Sequence, residues 1–353
     1  MEAFTRLRLF WMLVALSLIT ACGSDTGFNL GGEQAAFEQS VTSTPVKVDI
    51  LWVVDNSGSM ATSQDNVANN FASFIQKFQQ TNFDYQMAVT TTEAWRGSTD
   101  PDPVKAYNFM RFRDGTDATS YSGVKVIKPD TPDLENVFQT NILQGITGSG
   151  SERGFESLQT AMQLQDNLDE PFPRPGALLA VIVLSDEDDV SAQAPDPGND
   201  PDWFVDKDYY NFLYNLSGST PTNLNFLFNT VGILDQNCLD ELTTPTFGGR
   251  KIAQRYLDMS DRTGGYKGSL CDDFTDVMAG VTDLIIQKST AFKLSREPAL
   301  DTVVVKIDGV VIPMDPDNGW TYDSATMLIS FHGTAIPGTE SIVSITYDPA
   351  GLK

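Results

Sequence analysis

The sequence predicts an α/β fold: a doubly wound, mostly parallel sheet with helices on both faces, followed by a small C-terminal all-β module. Three observations predict it. Apolar strand-like runs alternate with helix-period segments from about residue 46 to 289. The run Ala177-Leu178-Leu179-Ala180-Val181-Ile182-Val183-Leu184 holds no polar residue, as a strand covered on both faces requires. From about Ala291 the pattern changes to short alternating strands separated by turn residues.

Taken in order, Val46–Val54 starts alternating and ends fully apolar, which predicts a strand entering a buried sheet. After the loop Asp55–Ser59, Val67, Phe71, Phe74, Ile75 and Phe78 recur at the spacing of one helix face, and are read as core. Phe83–Thr90 is the next strand. Residues 95–133, rich in Gly, Asp, Pro and Ser, read as an insertion with strand-like pieces such as Val124–Ile127. A helix is expected from near Ser151, with Phe155, Leu158 and Met162 on one face. After the Ala177–Leu184 strand, residues 186–208 are acidic and Pro-rich and form a second insertion. A helix around 203–216 and a strand over Leu224–Ile233 follow. Ile252, Tyr256 and Met259 mark a helix ended by Gly264-Gly265, and Phe274, Met278, Val281 and Ile285 mark the last one. In the C-terminal module, Thr302–Ile312 reads as a hairpin turning on Asp308-Gly309. Trp320–Tyr322, Met327–Phe331 and Ser341–Tyr347 are further strands of a small sandwich.

Composition bounds the function. The chain has 353 residues, 47 Asp plus Glu, 23 Lys plus Arg and one His, for a net charge of −24. Neutralising nucleic-acid phosphates takes clustered Lys and Arg, so nucleic-acid binding is not expected. The same shortage argues against docking on anionic lipid through basic residues. A single His, His332, excludes a multi-histidine zinc site and is read as structural.

At the N-terminus, Arg6 and Arg8 precede the apolar run Leu9–Ile19, which is short for a bilayer span. It reads as an export signal over residues 1–21. Ile19-Thr20-Ala21-Cys22 resembles the bacterial lipobox, whose Cys is acylated and starts the mature chain. Several acyl chains on Cys22 would anchor the protein stably. Gly23 after Cys22, by analogy with known lipoproteins, points to the outer membrane of a Gram-negative envelope. Residues 22–45 read as a lipidated flexible tether. The remaining cysteines, Cys238 and Cys271, form a candidate disulfide in an exported chain; two buried free thiols are the alternative.

The chemistry gathers at Val53-Val54-Asp55-Asn56-Ser57-Gly58-Ser59-Met60. Asp55, Ser57 and Ser59 alternate along a loop, so three oxygen side chains can converge on one point. The loop follows the carboxyl end of a strand and precedes a helix, and that edge of an open α/β sheet is where ligands bind. A helix N-cap is the simpler use of such residues.

Asp-x-Ser-x-Ser after an apolar strand resembles the metal-ion-dependent adhesion site of von Willebrand factor type A domains, and the β/α order of residues 46–289 resembles that family's whole fold. The 290–353 module lies outside the resemblance. It implies a divalent cation, Mg²⁺ first and Mn²⁺ or Ca²⁺ as alternatives, held by Asp55, Ser57 and Ser59. It implies two more ligands. One is Asp186 at the end of the central strand. The other is usually a Thr, and here Ser151 aligns best, with Glu152 as its rival. Hydroxyls are neutral ligands, so the ion keeps positive charge and can take a carboxylate from a partner. A direct Glu152 ligand would quench that pull.

Other acidic groups carry less. Glu187, Asp188 and Asp189 read as a solvated loop rather than a second cation site, and Asp315–Gly319 as a tight turn. The function expected is therefore a lipid-anchored, cation-dependent binding module that is not an enzyme. Its partner is a protein or another envelope or surface ligand presenting a carboxylate. The alternatives are a structural envelope lipoprotein whose metal only stabilises the fold and, less favoured, a metal-assisted hydrolase.

Overall fold

The computed structural model describes residues 37–42, 47–80, 83–116, 120–164, 171–221, 223–243, 249–338 and 341–350, with the backbone alone over 37–42 and 76–80. The segment expected to be an export signal, Cys22, most of the expected tether and the Phe78 side chain lie outside what is described. No described helix is long and apolar enough to cross a membrane.

In chain order the first elements are β1 (Phe37–Thr42), β2 (Lys47–Val54), α1 (Ala61–Gln80), β3 (Asp84–Thr91) and α2 (Pro103–Met110). The short strands β4 (Gly115–Thr116), β5 (Ser120–Tyr121) and β6 (Val126–Ile127) lead to α3 (Leu134–Ile142) and α4 (Gly154–Gln163). Then come β7 (Leu178–Ser185), α5 (Lys207–Leu216), β8 (Phe226–Gly232), α6 (Gln236–Leu242), α7 (Gln254–Thr263), β9 (Lys267–Ser269) and α8 (Phe274–Ser289).

The central sheet has six strands in the order β6-β3-β2-β7-β8-β9. All pairs are parallel except β6, which runs antiparallel to β3. The apolar runs still obey the two-residue period of a strand. In β2, Val48, Ile50, Trp52 and Val54 enter one core while Leu51 and Val53 enter the other. In β7, Leu178, Ala180, Ile182 and Leu184 take the first side and Leu179, Val181 and Val183 the second. Helices α1, α3 and α8 cover the first face, where Phe74 and Phe138 meet Trp52 edge-on at 5.5 and 5.7 Å. Helices α4, α5 and α7 cover the second, around Phe155, Phe228 and Tyr256.

Register fixes where the site can form. Val54 lies opposite both Thr91 of β3 and Leu184 of β7, so β2 and β3 end level and β7 runs one residue further, to Ser185. Their following residues, Asp55, Thr92 and Asp186, therefore meet at the carboxyl edge.

Several elements differ from the sequence expectation. The helix expected from near Ser151 starts at Gly154, and the one expected around 203–216 starts at Lys207. The 95–133 insertion contains α2, capped by Asp102 with Pro103 at its first position. Helices α3 and α6 and strand β9 are additional. The 186–208 insertion is closed onto α7 by Arg255, which pairs with Asp189 at 2.8 Å and with Asp206.

Beyond α8, the C-terminal module comprises β10 (Phe292–Lys293), β11 (Val304–Ile307), β12 (Val310–Ile312), β13 (Trp320–Asp323), β14 (Leu328–Phe331) and β15 (Ile342–Tyr347). Two antiparallel sheets, β10-β14-β13 and β1-β15-β11-β12, enclose Val305, Trp320, Phe331 and Val343. Asp308 and Gly309 both have positive φ, as a two-residue hairpin turn of this hand demands. One correction concerns the tether. Its segment Phe37–Thr42 is strand β1, paired along its length with β15. The open edge of β15 offers unpaired backbone groups, and the residues before β2 are near enough to satisfy them.

Candidate cation site at the carboxyl edge of the sheet

Asp55 follows β2 and is fully buried. Its backbone N–H donates to Leu184 O at 2.9 Å, which ties the loop to the end of β7. Asp55 Oδ1 accepts from the Ser57 N–H at 2.8 Å and Oδ2 from the Ser185 hydroxyl at 2.7 Å. The Ser57 and Ser59 hydroxyls are 3.3 Å apart. Ser59 Oγ donates to Asp186 Oδ1 at 3.0 Å. A continuous polar chain thus runs Ser185, Asp55, Ser57, Ser59, Asp186, and joins the ends of two adjacent strands.

Two other loops close on it. Gln64 Nε2 donates to Asp55 O and to Gly145 O, each at 2.9 Å, so α1 clamps the loop before α4 to the loop after β2. Glu93 accepts from the Asn56 side chain at 3.1 Å, from the Ser149 N–H at 2.7 Å and from Arg96 at 2.6 Å. Gly148 donates its N–H to Asn56 O at 2.8 Å. A Cβ at Gly148 would lie 2.6 Å from that same carbonyl oxygen, so only glycine allows this approach.

The two rivals for the fifth position behave differently. Ser151 is half-buried, and its N–H donates to the Ser149 hydroxyl. Among the described residues, its hydroxyl bonds to none of the other four. Glu152 is buried, and one of its oxygens accepts from the Thr92 hydroxyl. Its other oxygen, Oε1, is buried with no hydrogen-bond partner. An unsatisfied buried carboxylate oxygen is costly, and such a group calls for a proton or a cation.

Crowding of carboxyl groups sets the electrostatics. Burial, then the nearby Asp55 charge, pushes Glu152 up to about 9, against the opposing bond from Thr92. Burial, then Asp55 and Asp186, pushes Glu187 up to about 7. Burial is also the first cause that pushes Asp55 to about 6, with Asp186 adding to it and the Ser185 bond opposing it. All three carboxyls resist ionising together unless positive charge enters.

The donors fit a hard divalent cation. They are hydroxyl and carboxylate oxygens, the donor type Mg²⁺ takes. Among the described residues no group of three His, Cys, Asp or Glu side chains stands ready as a metal cage. The convergence here mixes serines with aspartates.

Sequence reasoning missed Thr92, Glu93, Gln64 and Arg250. Thr92 and Glu93 reach the site from the loop after β3, Gln64 from α1 and Arg250 from the segment before α7, none of them within a local motif. Arg250 pairs with Asp186 Oδ2 at 2.7 Å. Glu187, Asp188 and Asp189 split up: the Glu187 carboxylate lies beside Gly249, Asp188 accepts from the Arg255 N–H, and Asp189 binds Ser191 and the N–H of Phe155. His332 bonds Thr321 in the C-terminal module at 2.7 Å. Asp315 folds back on the N–H groups of Asp317 and Asn318 as a tight turn. Cys238 in α6 and Cys271 after β9 form a disulfide.

No family model matches the chain, and no curated protein matches it in sequence. Solved structures do resemble it. Proximal thread matrix protein 1 from the mussel byssus shares 10% identity over 73% of this chain and 51% of its own, with a TM-score of 0.39. The pilus adhesin SpaC from Lactobacillus rhamnosus GG, in its open conformation, shares 11% over 90% and 43%, with a TM-score of 0.42. The ArnB paralog VWA2 from Sulfolobus acidocaldarius shares 10% over 89% and 59%, with a TM-score of 0.31. The chain spans about half the length of these solved structures.

Proposed function

We propose that this chain is a cation-dependent binding module, anchored to the cell envelope through lipid on Cys22, that grips an acidic group of a partner. The observation that carries the reading is the convergence of Asp55, Ser57, Ser59 and Asp186 at the carboxyl edge of the sheet, beside the unpartnered oxygen of Glu152. Asp55, Ser57, Ser59 and Asp186 would hold the ion, with Ser151 or Glu152 completing the set. A bound Mg²⁺ supplies a Lewis-acidic point that a carboxylate can occupy. Ser57 and Ser59 contribute neutral oxygens, which leave that positive charge unspent. Ser185 and the Ser57 N–H hold Asp55 in place. Gln64 and Glu93 keep the loop before α4 against the loop after β2. Among the described residues no general base other than these carboxylates stands at the site, which favours binding over catalysis. The outer membrane of a Gram-negative envelope is the expected location.

The test uses the full chain, purified in detergent and immobilised, with polyglutamate as the carboxylate probe. Retention in Mg²⁺ that is abolished by EDTA, and is absent in Asp55→Ala, supports the reading. Equal retention with and without EDTA contradicts it.

A further inference from the structure

Arg250 sits where three parts of the fold meet. Its Nε donates to Asp186 Oδ2 at 2.7 Å. Its Nη1 donates to Leu242 O at the end of α6, and its Nη2 reaches Ser59 O at 3.4 Å. The Arg250 side chain is 11% exposed and that of Asp186 2%. One guanidinium thus touches two of the four converging residues, from outside the polar chain that links them.

The division of the Asp186 carboxylate is the informative feature. Oδ2 belongs to Arg250, and Oδ1 faces the Ser59 hydroxyl. A guanidinium presents its donors in a rigid planar fork, and here the fork spreads over three acceptors, so Nε holds Asp186 Oδ2 at a fixed place relative to Leu242 O and Ser59 O. Arg250 is braced in turn. The helix α6, whose last residue Leu242 it bonds, is fixed at its other end: Asp235 caps its start and Cys238 in its first turn is joined to Cys271. The Lys251 N–H next to it donates to Asp186 O at 3.1 Å.

We infer that Arg250 is a positioning residue of the cation site: it holds Asp186 with Oδ1 turned toward Ser59 and offsets one negative charge where several carboxyls crowd. This rests on the cation-binding reading of the site. Partners that orient a ligating side chain are worth about 10–100-fold in metal affinity. The positive charge of Arg250 works in the opposite direction, because it repels a cation. Two variants separate these effects. Arg250→Lys keeps the charge and loses the fork. Arg250→Gln loses both.

A purely structural arginine provides the control. Arg174 lies at the opposite edge of the sheet, where it pairs with buried Asp49 at 2.7 Å and with Asp84. Arg174→Gln is expected to destabilise the fold away from the site, because it leaves buried Asp49 unpaired.

The experiment is calorimetric titration of Mn²⁺ into the full chain in detergent, with thermal unfolding recorded in parallel. The parent, Asp55→Ala, Arg250→Lys, Arg250→Gln and Arg174→Gln are compared. We expect Arg250→Lys to bind about 10–100-fold more weakly than the parent and Arg250→Gln to fall between the two, because it also loses the repelling charge, while Arg174→Gln binds like the parent despite a lower Tm. Arg250 variants that bind as tightly as the parent, more tightly, or no more weakly than Arg174→Gln overturn the inference. A parent that takes up no Mn²⁺, or an Asp55→Ala variant that binds like the parent, overturns instead the cation-site reading beneath it.

Discussion

Ser59 and Asp186 are 127 residues apart in sequence and are joined by a 3.0 Å hydrogen bond between the loops that follow β2 and β7. The bond exists because β2 and β7 are adjacent and paired in register up to Val54 and Leu184. It separates a site effect from a fold effect. Ser59→Ala removes one neutral hydroxyl at a half-buried position and should cost about 0.5–1.5 kcal/mol of stability. Cation affinity should fall at least about tenfold, because a ligand and the partner of Asp186 Oδ1 are lost together. Parallel denaturation and calorimetric titration check both figures.

The raised carboxyls set the pH dependence of the cation-free protein. Their folded values lie above their unfolded ones, so their protonated forms favour the fold. That stability is fully present below the unfolded carboxyl range and is lost as pH rises through about 6, 7 and 9 for Asp55, Glu187 and Glu152. Denaturation in EDTA should therefore show stability declining from pH 5 to pH 9. Added Mg²⁺ should flatten the decline, since a cation replaces the protons. A stability that rises over this interval in EDTA would contradict the electrostatic picture.

Gly148 is where the loop before α4 meets the loop after β2. A methyl group there would overlap Asn56 O at 2.6 Å and force the two loops apart. Gly148→Ala should destabilise the protein by about 1–3 kcal/mol, as overpacking does, and weaken cation binding at the same time. Ala at Gly150, where a Cβ meets nothing, should leave both unchanged.

The Cys238–Cys271 disulfide closes a loop with a sequence separation of 33. On the chain-entropy model its reduction should cost about 3–4 kcal/mol. Because α6 braces Arg250, reduction should also weaken cation binding, and unfolding with and without dithiothreitol in the presence of Mn²⁺ measures both effects.

Much of the fold was legible because its signals are local. The Ala177–Leu184 run and the end of β2 are continuous apolar segments, and Asp55, Ser57 and Ser59 fall within five residues. Helix α2 carried a readable start signal in Asp102-Pro103, which the Gly- and Asp-rich composition around it obscured. Strand β1 was illegible for a different reason. Phe-Glu-Gln-Ser-Val-Thr has no apolar alternation, and its strand state comes from pairing with β15 about 300 residues later. The same limit hid Arg250 and Glu93. A lone charged residue declares no partner in sequence, and the contacts Arg250–Asp186 and Glu93–Ser149 span 64 and 56 positions.

The most direct measurement is calorimetric titration of Mg²⁺, Mn²⁺ and Ca²⁺ into the full chain and its Asp55→Ala variant, with thermal unfolding at each end point. A ligand that binds only the folded state raises stability by mass action. Saturable uptake of one cation with a raised Tm in the parent, and neither in Asp55→Ala, is the expected result. Identical behaviour of the two proteins would mean that the Asp55–Ser59 loop only caps a helix and that no cation is held there.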